Sequence, residues 1–263
     1  MTTDVQRNAA DALLAAYDGP TISPLTQRYS GLTLGDAYSI QIAQVKHWTE
    51  NGRVVKGHKV GLTSRVMQLQ LGVDQPDYGH LLDSMFHLED QPIDVSKFKQ
   101  PRIEPEIAFV LGAPLQGPGV TAAEAAAAVE YVVPALEIID SRITDWKITL
   151  ADTVADNASS GGVVLGSHFS SPRQIDLRHV GCVLRHNGAI VDTGAGAAVS
   201  GSPLNSLVWL ANTVGPLGIR LEAGHVVLPG SLTKAYPVAA GDVFSAEYGE
   251  LGAVTATFQK ETQ

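Results

Sequence analysis

The chain has 263 residues, 44% apolar and 17% charged, which excludes a disordered or coiled-coil chain and leaves room for a sizeable core. A formal net charge of -9 and a pI of about 5.3 argue against nucleic acid and anionic membranes as partners. A small anionic substrate stays open, because one bound cation inverts the local field.

The single cysteine, Cys182, allows no intramolecular disulfide and is expected as a buried, inert thiol in a reducing cytoplasm. Residues 1–19 carry no basic segment ahead of an apolar one, so no signal peptide is expected. No apolar run reaches the ~20 residues that span a bilayer.

Taken in chain order, residues 9–17 predict a short helix ended by Asp18-Gly19-Pro20. Thr33 and Asp36 form a capping box that opens a longer helix, closed by Gly52. Ser64 is placed to cap the segment RVMQLQL, which Gly72 ends, and Thr121 with Glu124 opens an alanine-rich helix over 122–131. Ser202-Pro203 is an N-cap and N1 pair for LNSLVWLANTV, closed by Gly215. Between and after these lie β-prone runs: RIEPEIAFVLG, VVPALEIID, GGVVLG, CVLRHNGAIV, HVVLPG, VFSAEY and AVTATF. Asn187-Gly188 is a hairpin signal within one of them. Strands and helices do not alternate regularly, which argues against a doubly wound parallel sheet. The expected class is α+β, with a helical N-terminal segment (1–75) on a mixed, mostly antiparallel β-rich region (76–263).

The chemistry concentrates in carboxylates. In the strand Arg102-Ile103-Glu104-Pro105-Glu106-Ile107, alternation sends Glu104 and Glu106 to one face. Glu137 interrupts the otherwise apolar run VVPALEIID and needs a partner if buried. Three carboxylates suit a hard divalent ion, Mg²⁺ or Mn²⁺, with positions left for water or a chelating substrate. The alternative is three glutamates on solvated strand faces, with Arg102 or Arg142 as salt partners.

Other candidates are weaker as patterns. Lys59, in Gly57-His58-Lys59-Val60-Gly61, is a buried shifted lysine, an anion holder, or a snorkelling strand-end lysine. Asp77 precedes Tyr78-Gly79 and reads as turn chemistry first, a catalytic acid second. Asp152, Asp156 and Asn157 suit caps and turns. Ser159 and Ser160 before Gly161-Gly162, and Ser231 and Thr233 after HVVLPG, could present hydroxyls and backbone N–H groups to a substrate carboxylate. The histidines lack zinc-ligand spacing.

Together, GHKVGLTS, GVDQPDYGHLL, PRIEPEIAFVLG, PALEIIDSRITDWK, DTVADNASSGG and LEAGHVVLPGSLT resemble, in order and over nearly the whole chain, the 2-keto-4-pentenoate hydratases of the fumarylacetoacetate hydrolase superfamily. The resemblance implies a β roll with an N-terminal helical cap, usually in homo-oligomers, with a pathway aldolase or decarboxylase as a possible partner. It implies metal held by Glu104, Glu106 and Glu137, with Lys59 and Asp77 as proton-transfer residues. The implied reaction is addition of water to 2-hydroxypenta-2,4-dienoate or a substituted relative in aromatic meta-cleavage catabolism. The 4-oxalocrotonate decarboxylases are the nearest rival, and a C–C bond hydrolase is a more distant one.

Overall fold

The computed structural model describes residues 3–259. The ends of the two predicted regions, 1–2 and 260–263, lie outside the described residues.

In chain order the elements are α1 (Thr3–Asp18), α2 (Leu25–Arg28), α3 (Leu34–Glu50), β1 (Val55–Gly61), α4 (Arg65–Leu71), β2 (Asp77–Leu82), β3 (Phe86–His87) and β4 (Arg102–Leu111). There follow α5 (Ala122–Ala128), β5 (Val129–Ile139), α6 (Leu150–Ala155), β6 (Ser160–Leu165), β7 (Gly181–His186) and β8 (Ala189–Ala195). The chain continues with α7 (Pro203–Val214), β9 (Val226–Leu228), β10 (Tyr236–Pro237), β11 (Val243–Tyr248) and β12 (Gly252–Thr257).

Local signals set most of these boundaries. Thr33 accepts from the Asp36 N–H while the Asp36 carboxylate takes the Thr33 N–H, and Thr121 with Glu124 repeats the device. Ser64 makes no side-chain cap bond, but Gly72 ends α4 in the left-handed conformation. Asn187 and Gly188, with φ of 51° and 84°, turn β7 into β8. The alanine-rich helix stops at Ala128, not Tyr131, because Val129 already pairs with Leu111 on β4. Sheet pairing there outweighs helix propensity.

The large sheet runs β2-β1-β9-β4-β5-β6-β3, with β10 on the flank of β4, and the second sheet runs β12-β11-β7-β8. Only β1–β9 and β3–β6 pair in parallel among the described strands, so the sheets are mixed and mostly antiparallel, as expected. β1 falls within residues 1–75 yet is an interior strand of the large sheet.

The sheet curls until its two sides meet. The Asn157 side chain bridges them as a strand would: it donates to the His80 carbonyl at 2.9 Å and accepts the His80 N–H at 2.8 Å. Inside the curl, Leu81, Ala108, Ala135, Val163, Val226 and Leu228 form an apolar plug. Ile103, Ile107, Phe109, Leu136 and Ile138 point outward and join Leu184, Phe244, Ala246, Val254 and α7 in the main core. The N-terminal helices form their own cluster with α6, through Leu13, Leu25, Ala37, Ile40 and Val154.

One buried ion pair fastens the loop after β5 to the chain beside β6. Arg142 Nε donates to Asp156 Oδ1 at 2.6 Å, and its terminal nitrogens donate to the carbonyls of Asp156 (2.8 Å) and Ser160 (3.0 Å). The guanidinium lies 4.4 Å from the centre of the Tyr17 ring, so α1 seals it from above. Between the two clamped carbonyls, Asn157, Ala158 and Ser159 adopt φ of 51°, 51° and 54°. A left-handed conformation costs roughly 1–2 kcal/mol per non-glycine residue, so the clamp holds the chain where it would not stay alone.

Replacing Arg142 by Met should therefore lower stability by about 3–5 kcal/mol in urea denaturation, since it leaves the Asp156 carboxylate buried and unpaired. Adding Asp156→Leu should recover part of that loss. A single variant within about 1 kcal/mol of wild type would contradict this role.

Candidate functional site

The β4–β5 register puts Glu104 opposite Glu137 and Glu106 opposite Ala135. All three carboxylates therefore face the inside of the curl, where their nearest oxygens lie within 4.8 Å of one another. Glu106 and Glu137 are each 1% exposed, and Glu104 is half-buried. At an effective dielectric of about 20, two unit charges that close repel by roughly 3 kcal/mol. The protein compensates only in part. Lys59 Nζ lies 3.3 Å from Glu137 Oε1, and the Gly230 N–H donates to Glu106 Oε2 at 2.7 Å. Glu137 Oε1 is buried without a hydrogen-bond partner.

These charges shape one another. Burial, then the neighbouring Glu137, pushes the Glu104 and Glu106 carboxyls above the ordinary range, against the pull of Lys59. Burial alone would lower Lys59, but Glu137, Asp77, Glu104 and Glu106 outweigh it and hold the ammonium charged. Burial raises Asp77 to about 6, against the pull of Lys59. The donor set is oxygen only, buried, and over-supplied with negative charge. It fits a hard divalent cation such as Mg²⁺ or Mn²⁺ and fits zinc poorly.

Above the carboxylates lies a cavity of about 500 Å³. Lys59, Asp77 and Glu104 line it, whereas Glu106 and Glu137 sit beneath its floor. Lys59 and Asp77 approach each other across β1 and β2 because Gly61, opposite Asp77, has no side chain. A Cβ there would collide with Asp77 Oδ1 and come within 3.4 Å of Lys59 Nζ.

Of the hydroxyl candidates, Thr233 and Ser159 line the cavity. Ser160 does not: it is fully buried and donates its hydroxyl to the Asn157 carbonyl at 2.7 Å. Ser231 also lies off the cavity wall, with its hydroxyl 3.4 Å from the Pro105 carbonyl. The left-handed turn makes the difference, since it rotates Ser159 toward the cavity and Ser160 into the sheet. Arg142 pairs with Asp156, not with the glutamates. Trp146, Thr153 and Lys234 are lining residues that sequence pattern alone did not single out, and Arg102 lines the cavity without pairing with a glutamate.

Comparison with known proteins shows the family. Residues 57–259 match the profile of the fumarylacetoacetate (FAA) hydrolase C-terminal family. The 2-keto-4-pentenoate hydratase of Paraburkholderia xenovorans (strain LB400) is 47% identical over 260 residues, covering 98% of this chain and 97% of its own length. The 2-oxo-hept-4-ene-1,7-dioate hydratase of Escherichia coli is 41% identical over 243 residues, covering 90% and 91%. The solved structure of 4-oxalocrotonate decarboxylase from Pseudomonas putida G7, complexed with magnesium and adipate, superposes with a TM-score of 0.94 at 38% identity, covering 98% of both chains.

If the glutamates hold an ion, Glu106→Gln should weaken Mn²⁺ binding by at least about tenfold in calorimetry without lowering the melting temperature of the metal-free protein. The amide oxygen can still accept the Gly230 N–H. The folded-state value of Glu104, about 7, lies above its unfolded one, so its contribution to metal-free stability is lost as pH rises through that value. Mn²⁺ affinity should rise over the same interval, with proton release on binding. Wild-type affinity in the variant would remove Glu106 from the site.

Proposed function

Because the chain belongs to the fumarylacetoacetate hydrolase family, we propose that it is a divalent-metal-dependent hydro-lyase. It adds water to 2-hydroxypenta-2,4-dienoate or a substituted relative and releases 4-hydroxy-2-oxopentanoate or its counterpart. The observation that carries the reading is the stacking of two functions in one cavity. Glu104 lines the cavity with Glu106 and Glu137 clustered against it, and the Lys59 ammonium and the Asp77 carboxylate line the same cavity. The names of the similar hydratases support the same reaction class.

Glu104, Glu106 and Glu137 would hold the ion, which would supply Lewis-acid stabilisation of negative charge on the substrate's 2-oxygen. The residues of the chain supply the rest. The dienol loses its 2-hydroxyl proton and gains one at C5, which leaves a 2-oxo-3-enoate. Water oxygen then bonds to C4 and a proton to C3. Asp77, with its value near 6, is ionised at neutral pH; it accepts the 2-hydroxyl proton and returns one at C5, then accepts a proton from water and returns one at C3. Lys59 stays charged, draws Asp77 toward its ionised form and offsets negative charge as it builds on the substrate. Leu62, Val73, Ile148 and Leu150 line the same cavity and exclude bulk water from the reacting carbons. A homo-oligomeric assembly is part of the same proposal.

A second reading is decarboxylation of a 4-oxalocrotonate-type acid, favoured by the close superposition on that decarboxylase. Both reactions need negative charge stabilised on the same oxygen, so the product decides. With 2-hydroxypenta-2,4-dienoate and Mg²⁺ or Mn²⁺, mass spectrometry should show the gain of one water, and EDTA should abolish it. Turnover confined to a 2-oxo-enedioate with release of CO₂ would select the decarboxylase instead.

Lys59→Met and Asp77→Asn should each lower kcat by ~10²–10⁴-fold, and the double variant should lose little more than the worse single one, because the two act as a unit. Two small effects that simply multiply, or a lowered melting temperature with near-normal turnover, would remove the pair from the mechanism.

A further inference from the structure

Two sequence features meet behind the carboxylates and take no part in the proposed proton transfers: Pro105, between the two glutamates of β4, and the turn Gly230-Ser231-Leu232. Pro105 has no N–H, so β4 offers a carbonyl alone at that position. The turn fills the gap. The Leu232 N–H donates to the Pro105 carbonyl at 3.0 Å, and the Ser231 hydroxyl lies 3.4 Å from the same oxygen. Two residues before Leu232, the Gly230 N–H makes its buried bond to Glu106 Oε2 at 2.7 Å. Donor and carboxylate are thus tied to the same stretch of β4, the turn at Pro105 and the carboxylate one residue on.

Position 230 suits glycine alone. Its φ of +129° lies where residues with a Cβ are rarely found, and a Cβ there would collide with Thr63 Oγ1. Thr63 has little room to yield. It is buried, and its carbonyl accepts the Ser200 N–H at 3.2 Å. Gly230 is therefore pressed against Thr63 and aimed at Glu106. Any side chain at 230 would have to move the backbone, and the N–H with it.

That bond bears on which ion fits. A free carboxylate can give a cation one oxygen or both. Ca²⁺ takes about six to eight oxygens in flexible shells and readily accepts both, whereas Mg²⁺ demands a near-octahedral set of single oxygens, which Mn²⁺ also suits. Glu106 is not free in this way. A charge-assisted hydrogen bond draws on Oε2, which leaves Oε1 the stronger ligand atom. Turning the carboxylate to offer both oxygens would weaken a bond whose donor is anchored and cannot follow.

We propose that Gly230 is a positioning residue that holds Glu106 to one-oxygen binding, and so tunes the glutamate cluster toward Mg²⁺ and Mn²⁺ over Ca²⁺. This rests on the reading that the three glutamates hold the ion.

The test is calorimetry of the full chain with Mn²⁺ and with Ca²⁺, for wild type, Gly230→Ala and Thr63→Ala. Wild type should prefer Mn²⁺. Gly230→Ala should weaken Mn²⁺ binding by at least about tenfold and Ca²⁺ binding by less than about threefold, so the ratio of the two affinities falls. Thr63→Ala keeps the Gly230 N–H in place and should hold that ratio within about twofold of wild type. If Gly230→Ala does not fold, wild type decides the matter by nuclear magnetic resonance. Labelling with carbonyl-¹³C proline and ¹⁵N glycine selects Gly119 and Gly230, the glycines that follow proline. The Gly230 amide proton should stay far downfield when Mg²⁺ is added and move upfield with Ca²⁺. Equal losses on both ions in Gly230→Ala, no loss on either, or a Gly230 proton that leaves its downfield position with Mg²⁺ would overturn the proposal and spare the metal site. Failure of wild type to bind either ion would overturn the metal reading itself, and this role with it.

Discussion

Lys59 and Glu137 meet at 3.3 Å although their strands, β1 and β5, are three places apart in the sheet. In a flat sheet three steps amount to about 14 Å. Their contact requires the curl, and the curl in turn gives the molecule an inside that is neither the main core nor solvent. Both partners are at least 95% buried, so the pair is costly to desolvate and is sustained by the charges around it. Removing either partner would leave the other stranded among like charges or apolar walls. The arrangement makes sense as a preorganised site that gives up stability for electrostatics ready before substrate arrives.

The interior is divided by the same strands. Toward one end, Ala108, Ala135, Val163, Val226 and Leu228 close it with apolar side chains. Toward the other, the series Glu106, Glu104, Arg102 continues the same face of β4 into the cavity. Only residue identity changes along the strand, since the backbone geometry is common to both ends. The left-handed turn at Asn157–Ala158–Ser159 closes the curl and lines the cavity, and Arg142 and Asp156 offset its strain from behind. The shape of the cavity therefore depends on an ion pair that never touches it.

Much of this was legible before any coordinates. Thr33 with Asp36 and Thr121 with Glu124 mark helix starts through bonds that span three residues, and Asn187-Gly188 marks a turn through its own backbone preference. The shared face of Glu104 and Glu106 follows from strand periodicity alone. What pattern could not supply is long-range. The placing of β1 inside the large sheet, the partner of Arg142 and the closure by Asn157 all depend on residues far apart in sequence. Ser159 and Ser160 are neighbours with identical chemistry, and only three consecutive positive φ angles decide which one reaches the cavity. Arg102 was legible as a charge near the glutamates, but its stacking on Trp146 appears only in the folded chain.

The three glutamates are proposed as a metal site which also holds the head of a 2-oxo acid. Anomalous diffraction at the manganese edge, from crystals soaked with Mn²⁺ and 2-oxopentanoate, tests it most directly. One strong peak is expected within coordination distance of an oxygen of each of Glu104, Glu106 and Glu137, with the acid's carboxylate and 2-oxygen also reaching it. A peak away from the three glutamates, or an acid bound with no contact to the ion, would contradict it.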